Sequence, residues 1–397
     1  MNSEILRTDD SYFDSIRPYL DSEVDSILPA LIQDKTVRGI LTKVFGNIPD
    51  TELDNMIKAT HSIETFKTKF MVPVVGKVIH DTTFSLTWSG KSKLDRTGKI
   101  KYLFISNHRD ITLDSAFLNY LCVEAGLPIP RIAIGDNLLI QPWIRDVVRL
   151  SDAFIVRRHP SMREMIVESK RLSSYIRSSV VSNDASVWLA QSEGRRKDSD
   201  DRTQPAVLKM LSLSGGKDET LEELFESLKI TPIAITYEYD PCDYLKAQEM
   251  LAKHLDPSWQ KRPEDDYINM QTGLKGYKGR VHFSVGDTLR DLHAIVDPED
   301  TKQEKLDKVA NEINRQIFTN YRFYPNNYIA FDFLHGGKPF GKMYSEKEKN
   351  AFSEYLEQQI AKVGAGKEHY DFIRERILGM YATPLKNHLI TTKQYRG

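Results

Sequence analysis

Cysteine is nearly absent: Cys122 and Cys242 are the only two in 397 residues. That is too few for a disulfide framework and fits a reducing compartment. No uninterrupted apolar run reaches the ~20 residues that a spanning helix needs. Even the stretch Phe70-Met71-Val72-Pro73-Val74-Val75-Gly76-Lys77 is broken by Pro73 and Lys77. No secretory leader is expected, because Met1-Asn2-Ser3-Glu4 continues to Asp9 and Asp10 without an apolar centre. Charge of one sign is not in excess: 55 Lys and Arg against 56 Asp and Glu leave −1. No bulk field therefore favours nucleic acid, no nucleic-acid partner is expected, and any anion site has to be local. There is no internal repeat and no low-complexity tract. The expectation is a cytoplasmic protein, soluble or at most lying on the inner face of a membrane.

What is present suffices for a large core, since 40% of the residues are apolar. Residues 1–85 form an expected helical N-terminal region, with apolar residues at three-and-four spacing over Ser22–Leu31, Thr36–Phe45 and Met56–His80, and a break at Asn47-Ile48-Pro49-Asp50. Within it, Phe66, Phe70, Val74 and Val75, flanked by Lys67, Lys69 and Lys77, make a packing face or else a face for a membrane surface. Residues 86–297 alternate short apolar runs with helical stretches. The runs are Tyr102–Ser106, Arg131–Gly135, Ala153–Val156, Ser186–Ala190, Ile230–Tyr237 and Arg280–Val285; helices fill Leu113–Ala125, Leu138–Leu150, Met162–Arg177 and Ala206–Leu213. This rhythm predicts an α/β core with a largely parallel or mixed central sheet and helices on both faces. Pro232 and Gly279 limit where the last two strands can sit, which suggests an edge or an antiparallel ending. Residues 298–397 return to helices at Lys302–Tyr321, Glu346–Val363 and Tyr370–Met380, with loops at 323–328 and 335–341.

The chemistry concentrates in Ser106-Asn107-His108-Arg109-Asp110-Ile111-Thr112-Leu113-Asp114, where a strand hands over to a helix. In open α/β sheets ligands bind beyond the carboxyl ends of the strands, and helix amides face negative charge there. Helical side chains lean back toward the N-terminus, which carries Asp114 toward His108. A carboxylate on one ring nitrogen fixes the tautomer and frees the other to take a proton from a hydroxyl. Asp110 is the rival partner for His108, its alternative role being an N-cap. With no serine or cysteine nucleophile, the pair suits direct attack by an alcohol on an activated acyl group.

Two other chemistries fit less well. His108-Arg109-Asp110 has the order of a kinase catalytic loop, but that loop needs Asn where Ser115 stands, and a glycine-rich loop upstream is missing. A metal on His108, Asp110 and Asp114 would need further convergent ligands. The remaining histidines, His159 among them, scatter without a paired spacing, so no metal is expected.

Three more strand ends complete the pattern. Ala153-Phe154-Ile155-Val156 delivers Arg157 and Arg158, guanidinium groups suited to bidentate contact with phosphate. Trp188-Leu189-Ala190 opens into Gln191-Ser192-Glu193-Gly194-Arg195-Arg196-Lys197. Gly194 there permits positive φ or close approach, and Glu193 can orient an arginine or hold the loop. The continuation Asp198 to Arg202 is expected to be a solvated loop. The last is Ile230–Tyr237 with Pro232, an apolar strand.

In this order the four stretches resemble the glycerolipid acyltransferase family, which includes the glycerol-3-phosphate and 1-acylglycerol-3-phosphate acyltransferases. Asn107-His108 with Asp114 matches its first block, Phe154 to Arg157 the second, Glu193-Gly194-Arg195-Arg196 the third and the strand around Pro232 the fourth. The match runs from about Leu103 to Tyr237. It departs from the family in leaving five residues between His108 and Asp114 where four are common, and in carrying Gln191-Ser192 in place of Phe-Pro.

The resemblance implies a glycerol-3-phosphate acyltransferase-like fold. It also implies transfer of a fatty acyl group from acyl-CoA or acyl carrier protein to the hydroxyl of glycerol-3-phosphate or 1-acylglycerol-3-phosphate in phospholipid synthesis. His108 would be the base and Asp114 its orienting group; Arg157 and Arg195 would hold the acceptor's phosphate, and Glu193 and Gly194 would shape that pocket. No metal or bound cofactor is implied, the thioester being a substrate. Acyl transfer to another hydroxyl or amine acceptor, and a non-catalytic phospholipid-binding protein, are the alternatives.

Overall fold

A computed structural model describes residues 10–158 and 161–394. The strands β1 (Thr83–Ser89), β2 (Leu103–Ser106), β3 (Arg131–Gly135), β4 (Ala153–Val156), β5 (Val187–Ala190), β6 (Ile230–Tyr237) and β7 (Gly279–Val285) form one seven-stranded sheet of order β1-β7-β6-β2-β5-β3-β4. All pairings are parallel except β6 with β7, so the sheet is mixed.

Alternation along each strand feeds two apolar layers. Leu103 and Ile105 of β2 join Phe154, Val187, Leu189 and Ile230 under the helices Met162–Val181, Pro205–Leu211 and Lys302–Thr319. Phe104 points the other way, to Trp188, Ile233, Ile235 and Phe283 beneath the helix Leu113–Glu124. With both faces covered, all eight residues of β6 are buried. The helices Asp21–Ile32, Lys35–Val44 and Asp50–Lys58 carry a separate cluster in which Phe66 and Phe70 are buried, so that stripe packs inward. Lys67 beside it is buried as well and donates to Asp152 at 3.2 Å. A further cluster joins the helices Asp243–Leu255, Pro325–His335, Glu346–Val363 and Tyr370–Thr391.

Several elements depart from the sequence expectation. The helical region ends at Thr82, and β1 follows as an edge strand; its apolar residues alternate with polar ones and pair only with β7. Met56–His80 is not one helix, because Ser62 caps a new start through Thr65 N. The antiparallel ending expected for the last two strands is present, since β7 runs antiparallel to β6, but Pro232 itself lies in an interior strand and not at an edge. Its missing N–H costs nothing there, because β6 takes up its antiparallel pairing with β7 only from Ile233. Pro325–His335, expected to begin as loop, is a helix with proline at its first position, a placement where the lost N–H is harmless. The final helix runs on to Thr391 through Pro384. His282 is a strand residue facing Thr87 and Ser89, and burial pushes its pKa down to about 4.

One side chain ties the carboxyl end of β2 to the sheet. Backbone pairing of β2 with β6 ends at Ser106 and Ile233. Asn107 then continues it with its amide, donating from Nδ2 to Ile235 O at 2.9 Å and accepting from Ile235 N at 2.7 Å. Asn107→Ala strands a buried N–H and a buried carbonyl together, so denaturant unfolding should show a loss of about 2–4 kcal/mol. A loss below about 0.5 kcal/mol would show that the pairing is not structural.

Candidate active site

The turn between β2 and the helix Leu113–Glu124 is folded around one carboxylate oxygen. Asp114 Oδ2 accepts from Arg109 N at 2.6 Å and Asp110 N at 3.1 Å, and lies 2.8 Å from His108 Nδ1. A carboxylate facing Nδ1 makes that nitrogen the proton carrier and leaves Nε2 as the acceptor of the neutral ring. Asp114 is fully buried and His108 only partly so. The indole of Trp188 meets the imidazole edge-on at 5.9 Å and is itself held by donation from Nε1 to Ser106 Oγ at 3.0 Å.

The helix begins at Leu113, as its apolar spacing predicts, and the residues between His108 and that start accommodate the longer His108-to-Asp114 spacing. Asp110 takes the capping role: Oδ1 accepts from Thr112 N at 2.9 Å and Leu113 N at 2.8 Å. Burial, followed by the charge of Asp114, raises its pKa.

His108 stands where two clefts meet. A polar one of about 240 Å³ is lined by Arg158, Arg195, Lys197 and Lys261, with Glu193 and Asp266 as the opposing charges. The other, of about 590 Å³, runs between the sheet and its covering helices and is lined by Ile132, Ile134, Val156, Leu172, Leu189, Val207 and Met210. Both share His108, Ile111, Leu138, Arg158 and Glu193.

Among the residues singled out in the sequence, Glu193 and Gly194 line the polar cleft with His108. Gly194 has φ of +73° with open space where a Cβ would be, so glycine is needed here for its backbone and not for close packing. Glu193 pairs with Arg158 at 3.1 Å. Arg157 does not line the polar cleft; it lies on the apolar one, half-exposed, 4.0 Å from Asp136. Arg158, its neighbour, is the guanidinium beside the polar cleft. The doublet carried the signal, but successive residues leaving a strand diverge, and the sequence does not say which one turns inward.

Arg195 is buried and donates from Nη2 to Asn269 Oδ1 at 3.0 Å, while Nη1 has no hydrogen bond. Burial opposes its charge, but Cys242 and Asp110 beside it keep the pKa above its usual value. His159 lies outside the described residues. Among the described residues, no group of three or more His, Cys, Asp or Glu is placed to hold a metal ion.

Three features of the site were not legible. Lys197, 3.0 Å from Glu249, and Lys261, paired with Asp266, carry no motif. The stretch expected as solvated loop instead buries Ser199 and Asp201, which anchor the Arg109 side chain next to His108. Only tertiary contact reveals this, since a Ser-Asp-rich composition fits a turn equally well.

Burial lowers the Lys197 pKa to about 8 even though Glu249 opposes the shift. The cation is therefore present below pH 8 and lost above it. Titration with inorganic phosphate should show affinity falling as pH rises through about 8, and Lys197→Arg should remove the fall. A flat profile in the wild-type protein would exclude Lys197 from anion binding.

Comparison with known proteins finds a similarity over part of the chain. No curated protein matches the chain. The crystal structure of the 1-acyl-sn-glycerophosphate acyltransferase PlsC from Thermotoga maritima is similar at a TM-score of 0.34 and 10% identity, over 74% of this chain and 93% of that one. Residues 85–236 match the family model described as Acyltransferase, a span that contains His108, Asp114, both arginines after β4 and the Gly194 turn. The segment that carries His108 and the strand ends around it is therefore similar to acyltransferases.

Proposed function

We propose that this protein transfers a fatty acyl group from a thioester, acyl-CoA or acyl carrier protein, to the hydroxyl of glycerol-3-phosphate or its 1-acyl derivative, at the cytoplasmic face of a membrane. The observation that carries the reading is the position of His108: oriented by Asp114, it stands at the junction of a cation-lined cleft and an apolar one. A phosphorylated acceptor matches the first and an acyl chain the second, which brings hydroxyl and thioester together at Nε2.

In the step itself, Nε2 takes the hydroxyl proton as the oxygen attacks the thioester carbonyl. Asp114 stabilises the imidazolium that forms. The tetrahedral adduct then collapses, the C–S bond breaks, and the imidazolium returns its proton to the departing thiolate. Donor, acceptor and His108 account for every bond made and broken, so the step calls for no cofactor. Arg158, Lys197 and Arg195 supply the positive surroundings for the acceptor's phosphate, and Arg157 lies farther out along the donor's cleft. Among the described residues no helix is long and apolar enough to cross a membrane. Peripheral contact with the membrane is part of the proposal.

The test is thiol release from long-chain acyl-CoA or acyl carrier protein with glycerol-3-phosphate or 1-acylglycerol-3-phosphate added. Release should depend on the acceptor and fall about 10²–10⁴-fold in His108→Ala, with a loss of comparable order in Asp114→Asn. Full activity in His108→Ala would refute the mechanism. No release with either donor and any acceptor would favour a phospholipid-binding protein instead.

A further inference from the structure

The acyltransferase match ends at residue 236, yet the polar cleft does not. One of its walls comes from the segment between β6 and β7, residues 256–275, a loop followed by the helix Pro263–Lys275. This helix reaches the site at three separate points.

At its start, Asp266 and the preceding Lys261 form an ion pair on the cleft rim, and Asp266 Oδ2 also accepts from Asn137 Nδ2 at 3.3 Å. In its middle, Asn269 Oδ1 accepts from Arg195 Nη2 at 3.0 Å; the Asn269 amide is itself fixed by donation to Asp265 O at 2.7 Å. Near its end, Gly273 lies against the catalytic turn so closely that a Cβ there would fall 2.1 Å from Asp110 Oδ2. Asp110 is fixed in turn by the amides of Thr112 and Leu113, so it cannot give way without disturbing the turn that carries His108. A helix making these contacts does more than cover the sheet, since its position sets both the cleft wall and the back of the catalytic turn.

We propose that residues 256–275 form the acceptor-specificity wall of this enzyme, with Lys261 a direct ligand for the acceptor's phosphate and Asn269 the positioning residue that holds Arg195. This rests on the acyltransferase reading for the identity of the acceptor, but the anion site itself does not. Lys261 is suited to the role because its ion pair is only partly buried: each partner keeps about a quarter of its surface exposed. Such a pair is weakly held. A phosphate dianion can draw the ammonium away from Asp266 with little net cost, whereas a neutral glycerol cannot. Asn269 acts differently. Arg195 is buried with one nitrogen unpaired, and without Asn269 a second would lose its partner and the guanidinium its fixed place.

Calorimetry of the full chain with glycerol-3-phosphate and with inorganic phosphate, run beside acyl-transfer kinetics, tests both assignments. Lys261→Gln should weaken glycerol-3-phosphate binding and raise its KM about tenfold, leaving kcat and the donor KM within about twofold. Asp266→Asn releases Lys261 and should tighten binding about two- to threefold. Asn269→Ala should raise the acceptor KM about fivefold, and Asn269→Asp, which still accepts from Arg195, should restore it.

Unchanged binding and KM in Lys261→Gln would overturn the ligand assignment. A fall in kcat without a change in acceptor KM, not rescued by Asn269→Asp, would reduce Asn269 to a scaffold residue. Lys261-dependent binding of glycerol-3-phosphate by a protein that transfers no acyl group would sink the enzymatic reading and uphold the anion site.

Discussion

A single carboxylate oxygen organises the site. Asp114 Oδ2 meets the His108 ring and two backbone amides, so the same atom that sets the imidazole tautomer also closes the turn from β2 into the helix Leu113–Glu124. The carboxylate is out of reach of water, and each of these contacts satisfies a group that would otherwise be costly to bury. The geometry of the imidazole is thus built into the fold of the turn and is not left to a rotamer. Trp188 and the Arg109 anchor to Ser199 and Asp201 hold the turn from either side.

The sheet order decides what His108 faces. β2 lies between β6 and β5, and its carboxyl end opens toward the loops that follow β4 and β5. Those loops bring Arg158, Glu193, Gly194 and Lys197 to one side. On the other, the small and branched side chains of β3, β4 and β5 leave an apolar cleft beneath their covering helices. Two spaces of opposite character sharing one histidine are what an acyl transfer between a polar acceptor and a fatty donor requires.

Much of this was legible in the sequence, and the limits have physical causes. Six strands showed as short apolar runs because burial on both faces removes polar alternation. β1 was missed although Thr83, Ser85, Thr87 and Ser89 alternate with Phe84, Leu86 and Trp88 as in a half-exposed strand, because it follows the helix ending at Thr82 with no turn residue between them. The pairing of His108 with Asp114 followed from the backward lean of helical side chains, and Asp110 as cap from its residue type. The choice between Arg157 and Arg158 did not follow, since one residue along a strand end reverses direction. The helix Pro263–Lys275, with Lys261 before it, was invisible as part of the site. It meets Asp110 through Gly273 and Arg195 through Asn269, contacts made between residues far apart in the chain, which no local pattern encodes.

In the proposed mechanism His108 presents an unprotonated Nε2 to the junction of the clefts because Asp114 holds the proton on Nδ1. Nitrogen NMR of the histidine-labelled protein, with His108 assigned from its substitution, reads this tautomer directly. A neutral ring protonated on Nδ1 is expected, with a mixture of tautomers in Asp114→Asn. A neutral His108 protonated on Nε2 in the wild-type protein would contradict it, because no base would then face the acceptor.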